Sequence, residues 1–179
     1  ILKSYFDGNY ILNTMGLSRV TPTGGVYTQN IHRDVRSFSG SARIWLNTLI
    51  MLDDSTEENG ATWMLEGSHR QAEKPDEETF FKNAVRATGN KGDVLLFDGN
   101  IWHAAGKNNT NQSRHIITPI YSKPFIKQQM DYPRACGPDF GKVISPHLRQ
   151  ILGYNALVPV TLEEFYQPDE NRFYKPDQG

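Results

Sequence analysis

Arg43-Ile44-Trp45-Leu46-Asn47-Thr48-Leu49-Ile50-Met51-Leu52 is a β-branched and aromatic run cut off by Asp53-Asp54-Ser55, and it reads as a strand. After the turn-like Glu57-Glu58-Asn59-Gly60, the segment Ala61-Thr62-Trp63-Met64-Leu65 reads as another, closed by Gly67-Ser68. Upstream, residues 25–35 have strand character and follow the breaker cluster Thr21-Pro22-Thr23-Gly24-Gly25. Downstream, residues 75–83 predict a helix with Pro75 in its opening turn and acidic residues behind it. Gly92-Asp93 then introduces the short apolar strand Val94-Leu95-Leu96-Phe97, turned by Asp98-Gly99-Asn100. Residues 114–121 alternate Ile116, Thr118 and Ile120 against His115, Ile117 and Pro119, and Pro119 places this strand at an edge or a bulge. Towards the end, Ser145-Pro146 opens a helix running to Leu152 before Gly153, and Thr161-Leu162-Glu163-Glu164 is a capping box for a last short one. Many short strands with few helices predict a mostly β fold, a sandwich or jelly roll.

The bulk properties narrow the function classes. A length of 179 residues suits one domain, with a core over about residues 25–122 and a C-terminal extension over about residues 123–179. Fifteen Gly, ten Pro and eight Tyr favour strands and turns over a helix bundle. A net charge of -1, with both signs interspersed, gives no cause to expect nucleic acid or a membrane as partner. No apolar run has the length of a spanning helix, and no signal peptide is visible. The single cysteine, Cys136, rules out an intramolecular disulfide and suits a reducing, cytoplasmic location. The chain opens at Ile1 without Met and reads as a piece of a longer gene.

His32-Arg33-Asp34 is the first stretch that could carry chemistry. On a strand, residues two apart face the same way, so the imidazole and carboxylate can converge. Alone, the tripeptide is equally a surface His beside a solvated Asp. His103, placed beyond the apolar strand and its turn, changes the balance. Two His and one carboxylate form the facial triad of non-haem Fe(II), which leaves room for a bidentate 2-oxo acid and O2. A catalytic zinc would accept the same ligands. Arg114 supplies what a zinc hydrolase does not need: with Fe(II) and Asp34 summing to a single positive charge, one guanidinium balances doubly charged 2-oxoglutarate and matches its distal carboxylate in shape. The bland alternative is a surface Arg at a strand start.

In this order, the blocks Gln29-Asn30-Ile31-His32-Arg33-Asp34, Leu52-Asp53-Asp54 through Glu58-Asn59-Gly60 to Gly67-Ser68-His69-Arg70, Gly92-Asp93-Val94-Leu95-Leu96-Phe97, and His103 with Gly106, Asn108 and Arg114 resemble the phytanoyl-CoA dioxygenase family. Leu148-Arg149-Gln150-Ile151-Leu152-Gly153-Tyr154 is similar to the end of many members. The resemblance implies a double-stranded β-helix (jelly roll, cupin-like) with a few peripheral helices, the N-terminal part of the family fold being missing. It implies His32, Asp34 and His103 as iron ligands and Arg114 as the clamp on 2-oxoglutarate. Gln29 and Thr62 fall where some members contact the cosubstrate, and Asn47 lies on a strand whose inward side chains line the pocket. Each of those three is also readable as an ordinary strand or turn residue. Trp45, Trp63 and Trp102 read as core aromatics, His69 as part of a structural turn, and His115 and His147 as surface or packing histidines. Where the family writes Pro-Gly-Ser-His, this chain has Glu66-Gly67-Ser68-His69. The expected activity is an Fe(II)- and 2-oxoglutarate-dependent dioxygenase using O2 to hydroxylate a small organic metabolite. The alternatives are desaturation or epoxidation with the same cofactors, a zinc enzyme, or a non-catalytic jelly-roll module. Retention of Asp34 speaks for oxygenation over halogenation.

Overall fold

A computed structural model describes residues 1–23 and 27–178. They form two compact units, one of residues 1–14 and 120–179, the other of residues 15–119.

The second unit holds every candidate site residue. Its first sheet has the order β1 (Ile11–Val20), β7 (Arg114–Ser122), β2 (Trp45–Met51), β5 (Val94–Asp98), with β1 and β7 each continuing into the other unit at one end. β2 and β5 are antiparallel, and their register sets Asn47 opposite Phe97 and Leu49 opposite Leu95. β2 is buried along nearly its whole length, as expected of a continuous apolar strand with neighbours on both sides. The second sheet centres on β3 (Thr62–Met64), flanked antiparallel by β4 (Val85–Ala87) and by β6 (His103–Ala104), with Met64 opposite His103. Among the described residues neither sheet closes on itself. Leu49, Met64, Phe97 and Ile116 join the two sheets in one apolar cluster. A second cluster, of Ile31, Leu65, Phe80, Trp102 and Ala104, includes Phe80 from α2 (Glu77–Asn83). That helix starts because the Asp76 side chain accepts the Thr79 backbone N–H at 2.8 Å.

Three expectations need correcting or completing. Of the strand expected over residues 25–35, residues 25 and 26 lie outside the described residues, and the rest is not a strand. Tyr27–Gln29 is a single 3-10 turn, and only His32 pairs, through an isolated bridge to His103. The reason is the partner: β6 has two residues, too few to extend a ladder along this segment. β7 lies between β1 and β2, so Pro119 is not on an edge strand; its carbonyl accepts the Thr48 hydroxyl at 2.6 Å. β1 itself escaped the pattern reading, because Met15 and Leu17 stand 55% and 71% exposed and blur the alternation.

The first unit carries α1 (Leu2–Phe6), α3 (Tyr132–Cys136), α4 (Pro138–Val143), α5 (Pro146–Leu152) and α6 (Leu162–Phe165). α5 is capped by the Ser145 hydroxyl and ended by Gly153 at φ 89°, where a glycine is favoured. Thr161 caps α6 by accepting the Glu164 N–H, while the Glu164 carboxylate takes the N–H of Val160, one residue earlier than the capping box expects. Buried Asn13 donates to the Ser122 hydroxyl and the Lys127 carbonyl and accepts from Gln129 N–H, which ties the start of the chain to its later part. No helix of the described residues is long and apolar enough to cross a membrane.

Candidate metal centre

Two reciprocal backbone hydrogen bonds of 2.9 Å set His32 directly against His103, and their rings come to 4.3 Å between centroids. Asp34 then follows through a bend. Arg33 turns the other way, its guanidinium 4.7 Å from the Trp102 ring and 5.4 Å from that of Phe38. This stacking pins the middle residue on apolar surface and leaves its two neighbours on the far side. Asp34 Oδ1 lies 3.8 Å from His32 Nε2, and Asp34 Oδ2 lies 3.5 Å from His103 Nε2. One ligand atom from each of the three side chains falls within 4.8 Å of the others. So the structure brings the three residues together, by an antiparallel bridge and a bend instead of strand alternation.

The histidines are also oriented for metal. His32 Nδ1 lies 2.7 Å from the Asn30 carbonyl, and His103 Nδ1 lies 2.9 Å from that of Ile101. A carbonyl only accepts, so each Nδ1 carries the proton and each Nε2 presents a lone pair towards Asp34. Such a bond to the rear nitrogen is the usual support of a metal-bound imidazole. The donor set, two neutral nitrogens and one carboxylate, fits Fe(II) or another divalent ion.

Burial lowers the His103 pKa from its ordinary 6.5, with nearby His32 acting the same way and the Asp34 carboxylate opposing. The buried ring stays neutral, as a ligand must. With the folded pKa below the unfolded one, the unfolded chain binds the extra proton as pH falls through 6.5. Stability of the metal-free protein is therefore full above that pH and declines below it. A series of urea midpoints from neutral pH downward should fall for the wild type and flatten for His103→Gln; equal slopes would show that His103 is not the group responsible.

Arg114 is only 1% exposed, far from the surface Arg of the bland reading. Its Nη2 donates to the Gly60 carbonyl at 2.6 Å and its Nε to the Asn59 carbonyl at 3.3 Å. Gly60 has φ +87°, and a Cβ there would meet the Gly106 carbonyl oxygen at 2.6 Å, so this loop is built around a glycine. Among the described residues no carboxylate forms an ion pair with Arg114. Burial, then neighbouring Arg86, push its pKa down, against a pull from Asp53. Arg114 shares its strand face with Ile116, which packs with Phe97, whose ring meets that of His103 edge-on at 5.1 Å. Thr62 is buried two residues before Met64, on the face of β3 that joins the same cluster. Gln29 is partly buried in the 3-10 turn whose Tyr27 ring stands 6.2 Å from that of His32. Asn47 donates its amide N–H to Asp34 Oδ2 and accepts from Trp45 Nε1 at 3.0 Å.

The other candidates fall outside the centre. His115 pairs with Asp53 at 2.8 Å in a half-exposed position, and the bond lowers the Asp53 pKa. His69 belongs to the Ser68–Arg70 turn, and His147 is exposed on α5. Trp45 and Trp102 are buried, and Trp63 carries the Arg86 guanidinium 4.4 Å above its ring. In the divergent Glu66-Gly67-Ser68-His69 turn, Gly67 takes φ 74°, and the Ser68 hydroxyl bonds Leu65 O and Trp102 N–H, which steadies the residue before His103. Sequence reasoning did not find Phe97 as the ring against His103, nor the Asn59 and Gly60 carbonyls under Arg114. The Asn59-Gly60 pair was visible only as a turn.

Comparison with known proteins adds five findings. The family model described as phytanoyl-CoA dioxygenase (PhyH) matches residues 9–116. The uncharacterized protein Rv1501 of Mycobacterium tuberculosis is 34% identical over 157 residues, covering 88% of this chain and 58% of that protein. The dioxygenase trt7 of Aspergillus terreus is 26% identical over 92% of this chain and 59% of its own length. Among solved structures, AviO1 from Streptomyces viridochromogenes matches with a TM-score of 0.59 and 26% identity, over 69% of this chain and 55% of that one. EctD from S. alaskensis, solved with 2-oxoglutarate and 5-hydroxyectoine, matches with a TM-score of 0.55 and 26% identity, over 65% of this chain and 45% of that one. The chain thus spans less than two thirds of the length of each of these relatives. Its two antiparallel sheets and few helices share the cupin-like fold class of these structures.

Proposed function

The chain belongs to the phytanoyl-CoA dioxygenase family, and on that premise we propose that it is an Fe(II)- and 2-oxoglutarate-dependent dioxygenase that hydroxylates a small organic metabolite. One observation carries the reading: a His-Asp-His cluster with both Nε2 lone pairs free is linked, through Phe97 and Ile116, to the strand of a buried arginine that forms no ion pair with a carboxylate among the described residues. His32, Asp34 and His103 would hold the metal, and Arg114 would take the distal carboxylate of 2-oxoglutarate in a two-pronged bond. When bound, Fe(II) with 2-oxoglutarate and O2 supplies oxidative decarboxylation to succinate and carbon dioxide, coupled to insertion of one oxygen atom into a C–H bond. The chain's part is to orient and to exclude water. The carbonyls of Asn30 and Ile101 fix the imidazole planes, and Leu49, Met64, Phe97 and Ile116 dry the interior beside them. Thr62 and Gln29 complete the proposed cosubstrate contacts. Asp34 occupies the position that a halide would need, which favours oxygenation over halogenation; chlorinated product from the intact protein supplied with chloride would overturn that.

The test is direct. Purified protein, loaded anaerobically with Fe(II), should develop a visible charge-transfer absorption on addition of 2-oxoglutarate. Admission of O2 should then release succinate, slowly without substrate and faster with the right one. No absorption change and no succinate would sink the proposal.

A further inference from the structure

We propose that Asn47 is a positioning residue for Asp34, and not the cosubstrate contact that its place on an inward strand face suggests. The proposal rests on the reading of His32, Asp34 and His103 as Fe(II) ligands. Asn47 is 2% exposed, a polar amide between Leu46 and Thr48 on the buried strand β2. Trp45 and Asn47 share one face of β2. An indole N–H only donates, so the Asn47 atom facing Trp45 Nε1 is the carbonyl oxygen. The amide orientation is thereby fixed, and its NH2 group must point to the other partner, Asp34 Oδ2. The relay Trp45 to Asn47 to Asp34 sets the plane of the carboxylate. Among the described residues Oδ1 takes no hydrogen bond, so one oxygen is held and the other is left to the metal.

Which oxygen is held matters for coordination. A facial triad leaves three of six positions open, enough for a bidentate 2-oxo acid and O2. A carboxylate free to turn can bind through both oxygens and take one of those positions. Occupying Oδ2 with an amide N–H opposes that and keeps Asp34 a single-atom ligand. The same bond withdraws charge from the carboxylate without neutralising it. Among the described residues the Asn47 NH2 group has no side-chain partner other than Asp34.

Asn47→Leu removes the amide at nearly constant volume. Binding of Co(II) to wild type and variant, measured anaerobically and without 2-oxoglutarate, reads the role directly. Loss of a residue that orients a metal ligand lowers metal affinity about 10–100-fold, and that is the expected result. The ligand-field absorption of the bound Co(II) should also weaken as Asp34 turns to bidentate binding. If Asn47 touches only the cosubstrate, Co(II) affinity and spectrum stay as in wild type while 2-oxoglutarate affinity falls, and the proposal is overturned. Trp45→Phe leaves Asn47 in place but frees its amide to flip; it should cost a few-fold in Co(II) affinity, and an unchanged affinity counts against the relay even if the Leu variant does not fold. A wild-type protein that takes up no Co(II) would instead bring down the underlying metal reading, an outcome visible before any variant is made.

Discussion

Arg114→Ala is expected to weaken 2-oxoglutarate binding by about two to four orders of magnitude, the equivalent of the roughly 3–5 kcal/mol lost when one member of a buried charge pair is removed. The guanidinium is buried, no carboxylate pairs with it among the described residues, and it shares a strand face with the cluster that packs against His103. A dianionic ligand deprived of it would sit in a dry interior with nothing to oppose its far charge. Arg114 has a second duty, however. It bonds the carbonyls of Asn59 and Gly60, and stranding a buried acceptor costs about 1–3 kcal/mol. The alanine variant should therefore also melt lower. A purely structural arginine predicts the lower melting point alone, with 2-oxoglutarate affinity intact. Titrating 2-oxoglutarate anaerobically at saturating Fe(II), with metal affinity as internal control, separates the two. Arg114→Lys should restore part of the affinity, since an ammonium keeps the charge but loses the fork. An alanine variant within a few-fold of wild type for 2-oxoglutarate would remove Arg114 from the cosubstrate site.

Local pattern made some parts of this molecule legible and hid others. β2, β3 and β5 stood out because each is a compact run of strand-forming residues near Gly, Asp or Asn, and those breakers act within a few residues of where they stand, while β7 stood out by its alternation. α5 and α6 were legible for the same reason, since a cap is a contact between near neighbours in sequence. The segment around His32 was not: whether it forms a strand depends on its partner β6, whose two-residue length no local pattern reveals. The three His-Asp-His residues could be picked out by type and order, but the argument that united two of them, alternation along a strand, is not how they meet. A bend brings Asp34 round and a bridge sets His32 against His103, and a bridge is a tertiary event. Asn47 shows the same limit at a finer scale. Its strand and inward face could be read from the sequence, while the destination of its amide is decided by Trp45 on one side and Asp34 on the other.

Asp34→Ala should cost more in Fe(II) affinity than any loss of an orienting residue, hence more than about 100-fold, and should abolish succinate formation. Three consequences of the structure make the expectation specific. The two imidazoles remain in place, because the backbone bridge between His32 and His103 and the carbonyl partners of their Nδ1 atoms do not involve Asp34. An ion with high affinity for imidazole therefore keeps some binding to the two nitrogens, and the loss should be smaller for Cu(II) than for Fe(II), in keeping with the general order of divalent affinities. The Asn47 amide loses its acceptor and is left with Trp45 only, so apo stability should fall by a small amount instead of rising. Finally, Asp34 is the carboxylate that opposes the burial-driven fall in the His103 pKa, so its removal moves that pKa further down and leaves His103 neutral over a wider range of pH. Loss of metal from the variant then cannot be blamed on protonation of His103, and raising the pH should not rescue it. Isothermal titration with Fe(II) and with Cu(II) under argon at two pH values, beside urea midpoints of the apo proteins, reads all of this. Fe(II) affinity within a few-fold of wild type, or recovery at the higher pH, would take Asp34 out of the ligand set and leave the two histidines without the anionic partner that the proposed reaction needs.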